Sequence, residues 1–383
     1  MAMDGTNYLS APVPRPQNSP IICFSSNRWR DAGRLRALLS GFARQREVFF
    51  LEAPTEGESE RLHIRPCALT GVQVVTPVLS ADGPGERRAV LDLLLARSGP
   101  AVAWYAEPGA LAFSGHVPWL ATIYDCASKA SPAALGFEAR LLDAADLVFT
   151  RAGLHEDRRE HEPHIHCFPE GIDVDRLAAA RGLLPEPDDQ IGLRRPLLGR
   201  YAPVDDRLDL DLLSRIAGLR PHWQFALIGA IETSKDLPRA ANIHWMGERD
   251  EAKLPAYLSH WDLAIMPLKR GLADDAAEAS RYLAGGRRVV STPSWGITQR
   301  FAGLESVVTV ETADSFIAAA ERAMLRADVS DFVAVDDLLA TLSWDAIQKH
   351  MAALLATVER NSAFSAMPLS RSDSLATVFA GSS

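Results

Sequence analysis

What this chain lacks narrows its class before any motif is read. Its 383 residues include four cysteines, Cys23, Cys67, Cys126 and Cys167. They are widely spaced, with no CxxC pair and no metal-ligand spacing, which excludes a disulfide framework and a zinc ribbon. Apolar flanks such as IICF and IHCF mark them as reduced, mostly buried thiols. No apolar run approaches the roughly 20 residues that span a bilayer. The N-terminus lacks a basic region followed by an apolar core, so no signal peptide is expected. Basic residues are in deficit, 40 against 49 acidic ones, for a formal charge of −9. That argues against general nucleic-acid binding, which needs a basic surface. No G-x-G-x-x-G follows the first apolar run, so a nicotinamide-dinucleotide enzyme is not expected.

What is present fits a soluble globular protein with two cores. Hydrophobic residues make up 47% and charged residues 23%, ordinary values for a chain of this length. A Pro-, Asn- and Ser-rich lead-in at 1–19 is expected to be disordered. The runs at 21–26, 47–54, 71–79, 101–108, 121–126 and 146–150 read as buried parallel strands, with helices over 31–45, 86–97 and 133–145. After the linker LLPEPDDQIGLRRP the alternation begins again, from Leu197 to Pro293. The pattern gives two doubly wound α/β domains, at 20–185 and 195–343. A helix at 344–361 and a flexible tail at 362–383 complete the chain. Two such domains are expected to share a cleft at the carboxyl ends of their strands, where ligands bind.

Several pieces in order carry a resemblance. They are Tyr124-Asp125-Cys126, the stretch Leu141 to Thr150 (LLDAADLVFT), and Cys167-Phe168-Pro169-Glu170-Gly171-Ile172-Asp173. DDRLDLDLL, NIHWMG, LPAYLSHWDLAIMPL and YLAGGRRVVSTP follow. The set, over roughly residues 20–355, resembles bacterial GT-B glycosyltransferases of the retaining, nucleotide-sugar-using kind. The resemblance implies two Rossmann-like domains facing a central cleft, the first for the acceptor and the second for the donor.

It also implies a donor site. Gly199 would lie in the turn after the first strand of the second domain, with Arg200 and Arg207 on the donor diphosphate. A fixed guanidinium there stabilises the negative charge that builds as the glycosidic bond breaks. On the residues alone, Arg207 could instead pair with Asp205, Asp206 or Asp209. Gly229 would belong to the donor site, and the turn Gly247, Glu248 and Arg249 would lie along the nucleoside base, where glycine permits close backbone approach; both glycines could equally be plain strand ends. The family's paired carboxylates are altered. Arg281 stands where Glu is usual, and Arg has donors only, so it cannot accept ribose hydroxyls. Glu278, or Asp274 and Asp275, are the substitutes. In the first domain Asp125 is the candidate general base, with helix capping as its bland alternative. Arg28 and Trp29 would line the acceptor side, and Trp295 the cleft. Trp104, Trp223, Trp245 and Trp261 are expected in the core.

His155, His161, His164 and His166 gather near Cys167. Their spacing fits no standard metal site, and alternate strand residues point to opposite faces. No metal and no cofactor are expected, because basic side chains and a helix N-terminus can hold a diphosphate.

The function so implied is transfer of a hexose-like unit from a nucleotide diphosphate sugar, of UDP type, to a saccharide or lipid-linked acceptor in surface polysaccharide synthesis. A cytoplasmic location follows, with peripheral association at the inner membrane face and a partner glycosyltransferase. The alternative is a catalytically degenerate GT-B protein that acts as a binding or scaffold subunit of a glycan-assembly complex.

Overall fold

The structure is a computed structural model that describes residues 19–57, 62–126, 130–151, 154–269, 275–326 and 331–365. The lead-in, Asp274 and the tail beyond residue 365 lie outside these. The chain divides into two compact units, 1–167 with 348–383, and 168–347.

The first unit is built on β1 (Ile21–Phe24), β2 (Val48–Leu51), β3 (Thr55–Glu56), β4 (Leu62–Pro66), β5 (Gln73–Leu79), β6 (Val102–Tyr105), β7 (Ala121–Cys126), β8 (Leu147–Thr150) and β9 (Ile165–Cys167). The sheet order is β3-β5-β2-β1-β6-β7-β8-β9, with β4 antiparallel on β5 and the rest parallel. Strands β1, β2, β6 and β8 are buried at every position. This is why they read as unbroken apolar runs rather than alternating ones. Helices Gly33–Ala43, Pro84–Ser98 and Leu135–Ala144 connect them.

The second unit carries β10 (Leu197–Tyr201), β11 (Gln224–Ile228), β12 (Ile243–Gly247), β13 (Leu263–Met266), β14 (Val289–Ser291) and β15 (Val307–Thr309). All are parallel, in the order β12-β11-β10-β13-β14-β15. The order reverses at β10/β13 here and at β1/β6 in the first unit, which marks the crevice positions of doubly wound sheets. Leu197 and Tyr201 face one apolar core and Leu198 another, as the two-residue period of a strand requires.

Gly199 lies within β10, not in a turn. A Cβ at Gly199 would meet the Trp261 indole at 2.0 Å, so the ring lies directly on the strand. Trp261 Nε1 in turn donates to Gln190 Oε1 at 3.0 Å.

The boundary between units falls at 167/168 rather than near 185. Ile172, Leu177 and Ala180 bury in the second unit's core, and the Ile172 amide donates to the Leu342 carbonyl at 3.0 Å. Linker residue Asp189 accepts from Tyr257 Oη at 2.7 Å. The last helix, Trp344–Ser365, starts in the second unit, and its residues from Gln348 belong to the first. Arg46 holds it there through a bidentate pair with Glu359, at 2.9 and 3.0 Å. None of the described helices is long and apolar enough to cross a membrane.

Two glycines make a test pair. Gly199→Ala should destabilise the second unit by about 3 kcal/mol, the upper range for an overpacked core. Gly218→Ala, in helix Leu210–Leu219 with open space around its Cα, should be neutral or stabilise by up to about 1 kcal/mol. Denaturant unfolding of both variants checks this. Equal effects would mean that the indole does not set the identity of residue 199.

Candidate functional site

At the carboxyl end of β10 the sheet opens. Strand β13 pairs with β10 only at Leu198 and Gly199, so the backbone of Tyr201 has no partner on that side. Helix Ala276–Ala284 supplies partners instead. The Tyr201 amide donates to Tyr282 Oη at 2.7 Å, and the Tyr201 carbonyl accepts from Arg281 Nη2 at 2.9 Å. Arg281 also reaches Glu251 at 3.2 Å. The residue that replaces the expected Glu thus supports the strand end.

Arg200 turns inward. It is 1% exposed, with Nη2 donating to Glu278 Oε2 at 3.0 Å, Nη1 donating to the Pro203 carbonyl at 2.9 Å, and Nε 3.0 Å from Glu278 Oε1. Nε is within ion-pair distance but off-line for a hydrogen bond. Glu278, 8% exposed, also accepts from Tyr282 Oη at 2.9 Å. Burial opposes the Arg200 charge, yet the facing carboxylate raises its pKa above the ordinary value. The expected contacts, Arg200 on a diphosphate and Glu278 on a sugar, are therefore not displayed here; the two groups satisfy each other.

The cations that face solvent lie one loop further. The loop after β10 is zipped to the loop after β13: Lys269 N donates to the Arg207 carbonyl at 2.7 Å, and Asp209 N to the Pro267 carbonyl at 2.9 Å. Arg207 is 47% exposed and bonds to Asp205 at 2.8 Å and Asp275 at 3.0 Å. Lys269 Nζ donates to the Asp206 carbonyl at 2.7 Å, and Lys235 Nζ lies 3.6 Å from the Asp206 carboxylate. The neighbouring Lys235 ammonium pushes Lys269 below the usual lysine range. Asp209 caps helix Leu210–Leu219, accepting from Leu212 N at 2.9 Å. Among the described residues, Arg207, Lys235 and Lys269 thus stand together among acidic residues at the switch point.

Gly229 follows β11 and Gly247 ends β12, and the Gly229 amide donates to the Gly247 carbonyl at 2.9 Å. A Cβ on Gly229 would strike the Ala202 carbonyl oxygen at 2.1 Å, and Gly247 has φ +71°. Packing and backbone conformation thus require both glycines. Glu248 is exposed. Arg249 pairs with Asp189 at 2.7 Å, and its carbonyl accepts from Tyr201 Oη at 2.7 Å.

In the first unit a cavity of about 330 Å³ opens at the carboxyl ends of β1, β6, β7 and β8, with Asn27, Arg34, Glu107, Asp125 and Arg151 in its lining. Asp125 is 2% exposed, and its Oδ1 accepts from Arg34 Nη2 at 3.1 Å. It does not cap the following 3-10 turn, which begins after Ser131. Beside this cavity is an apolar pocket of about 100 Å³ that includes Phe24, Pro54, Val90 and Phe113. Glu52, also in its lining, has no counterpart among the candidates from sequence. It accepts from Thr76 Oγ1 at 2.6 Å and from the Trp29 amide at 2.9 Å. Burial works against its charge, but these bonds and Arg28 hold it below the usual carboxylate range. Trp29 is itself buried against Phe50. Of the expected acceptor pair, only Arg28 reaches a surface hollow. Trp104, Trp223 and Trp261 are core residues, Trp245 is half-buried, and Trp295 is 43% exposed.

The thiols differ sharply. Burial pushes Cys23 far up and Cys126 up to about 12. A hydrogen bond with Thr70 leads the effects that lower Cys67 to about 7. The histidines part company: His164 Nε2 meets the Leu142 carbonyl at 3.0 Å, while His155 Nε2 meets Cys126 Sγ at 3.3 Å.

No protein-family model matches the chain. In sequence it is 26% identical over 253 residues to the putative teichuronic acid biosynthesis glycosyltransferase TuaH of Bacillus subtilis (strain 168). The match covers 58% of this chain and 63% of that protein, less than two thirds of the relative's length. Similar solved structures include a glycosyltransferase from Rickettsia africae (TM-score 0.65, 10% identity, 90% of this chain and 100% of that one). Sucrose-phosphate synthase from Thermosynechococcus elongatus gives 0.63 at 14% identity, over 90% and 100% of the two chains. Anabaena HepE in complex with UDP and glucose gives 0.61 at 12%, over 89% and 100%. The fold is GT-B. In GT-B terms the 168–347 unit is the second Rossmann-like domain, and the Arg207–Lys235–Lys269 group sits at its switch point.

Glu278→Gln should strand the Arg200 charge and cost about 3–5 kcal/mol of stability, read as a lowered unfolding midpoint. A much smaller loss would mean that the pair is not closed in solution. Alkylation with iodoacetamide should label Cys67 first. Its rate should rise with pH through about 7, since the thiolate is the nucleophile, while folded Cys23 stays unlabelled. A Cys67 rate still climbing steeply above pH 8.5 would contradict the lowered value.

Proposed function

We propose that this GT-B protein is a hexosyltransferase. It moves a sugar from a nucleotide diphosphate donor of UDP type to a saccharide or lipid-linked acceptor in surface polysaccharide assembly. The observation that carries this reading is the cationic group Arg207, Lys235 and Lys269 at the β10/β13 switch point. As the glycosidic bond breaks, charge builds on the leaving diphosphate, and fixed cations at the crevice stabilise it. The likeness to a teichuronic acid glycosyltransferase and the UDP in the HepE structure support the choice of chemistry. Gly247 to Arg249 would border the base, and Asp125 would take the proton of the acceptor hydroxyl. The reaction would retain configuration and need no metal at the diphosphate. We place the protein in the cytoplasm, peripheral at the inner membrane face, beside a partner glycosyltransferase.

The scaffold reading has its own support. Glu278 is occupied by Arg200, and Arg281 stands in place of a ribose-binding carboxylate. Calorimetric titration with UDP, GDP and their sugars separates the two. Roughly micromolar UDP binding is expected, weakened about 10–100-fold in Arg207→Ala by loss of a charged hydrogen bond. Asp125→Asn should keep UDP affinity and lower turnover by about 10²–10⁴. A folded protein that binds none of these nucleotides would be a scaffold.

A further inference from the structure

Three polar side chains converge on the other face of β7 from Asp125. Cys126 ends the strand, Glu138 comes from helix Leu135–Ala144, and His155 lies beyond β8. His155 Nε2 is 3.3 Å from Cys126 Sγ and 3.6 Å from Glu138 Oε1, and Sγ is 3.7 Å from Oε1. These separations match the edges of a zinc tetrahedron. With Zn–S of about 2.3 Å and Zn–N or Zn–O of about 2.0–2.2 Å, ligand atoms stand about 3.3–3.7 Å apart.

We propose that Cys126, Glu138 and His155 bind one divalent zinc ion through Sγ, a carboxylate oxygen and Nε2, with water as the fourth ligand.

Charge is the second argument. Glu138 is a buried carboxylate, and among the described residues its side-chain partners are Tyr124, Cys126 and His155 rather than an Arg or Lys. A buried anion needs compensation. Zinc with one thiolate and one carboxylate is neutral overall, and the thiol proton leaves to solvent on binding. The donor set of one sulfur, one imidazole and one carboxylate suits zinc better than magnesium or calcium, which prefer oxygen. Tyr124 Oη donates to Glu138 Oε1 at 2.9 Å, the outer hydrogen bond that orients a ligating carboxylate. His155 itself has φ +52°, an uncommon conformation for a residue with a Cβ, and it brings the imidazole to this point. The ion would tie the end of β7 to a helix and to the segment after β8. It is separate from donor chemistry in the second unit, so the proposal does not depend on the transferase reading.

The test uses the full chain, expressed without a histidine tag, stripped with chelator and titrated with zinc. One zinc per chain by elemental mass spectrometry is expected. His155→Ala, at a half-buried position, should stay folded by circular dichroism and lose zinc affinity by at least ~100-fold. Tyr124→Phe should lose about tenfold, as removal of an outer partner does. Cobalt should give a thiolate charge-transfer band in the wild type that is missing in Cys126→Ser. Substoichiometric zinc in the wild type overturns the proposal. So does a folded His155→Ala that binds zinc as the wild type does, and this variant decides the matter if Cys126→Ser fails to fold.

Discussion

A guanidinium is costly to bury, and the second unit does so on its first strand. Arg200 can lie in the core only because Glu278, 78 residues later, meets it there. That single pair fixes the rotation of helix Ala276–Ala284 about its axis. With Glu278 committed to the strand, Tyr282 and Arg281 fall where they can take up the amide and carbonyl of Tyr201. The end of β10 that faces β13 is thereby closed by a helix, and the loop after it, zipped to the loop after β13, carries Arg207 outward. The pair is an organising constraint rather than a net source of stability, since a well-packed apolar substitute could be as stable.

The two units use the same topology to present different chemistry. In the first, the crevice at the reversal of strand order holds a carboxylate neutralised by Arg34 and, beside it, an apolar pocket with Glu52 in its lining. In the second, the equivalent position holds cations. The two crevices therefore differ in charge and polarity although their topology is the same.

Much of the architecture was legible because buried parallel strands leave continuous apolar runs, as at VFFL and LVFT. The exposed hairpin strand Leu62–Pro66 left no such trace. The division of the chain differs from the sequence reading because residues up to 185 read as the close of the first α/β repeat and LLPEPDDQIGLRRP as a linker, while Ile172 and Leu177 pack in the second unit's core and Gln190 is buried. At the site, residue types were visible and partners were not. Nothing near Gly199 announces the indole of Trp261, nor does DDAAEAS show that its Glu turns inward to an arginine. Gly229 was a candidate for the donor site or a plain strand end; it follows β11, and the carbonyl of Ala202 is what requires a glycine there. Cys126, Glu138 and His155 are 12 and 17 residues apart on separate elements, a spacing no motif records. Such pairings follow from tertiary packing, which local pattern does not encode.

The path of the last helix bears on how the chain is made. Domains generally fold as units during synthesis, the N-terminal one first. Here the first unit is discontinuous and includes residues from Gln348 onward, whereas the second is contiguous and ends at Ile347. The ribosome therefore delivers every residue of the second unit before it delivers the last piece of the first. The order of completion is reversed. Until Glu359 arrives to meet Arg46 and Gln348 to pack on Gly41, the first unit lacks its cover over helix Gly33–Ala43, although every other part of it has already been made.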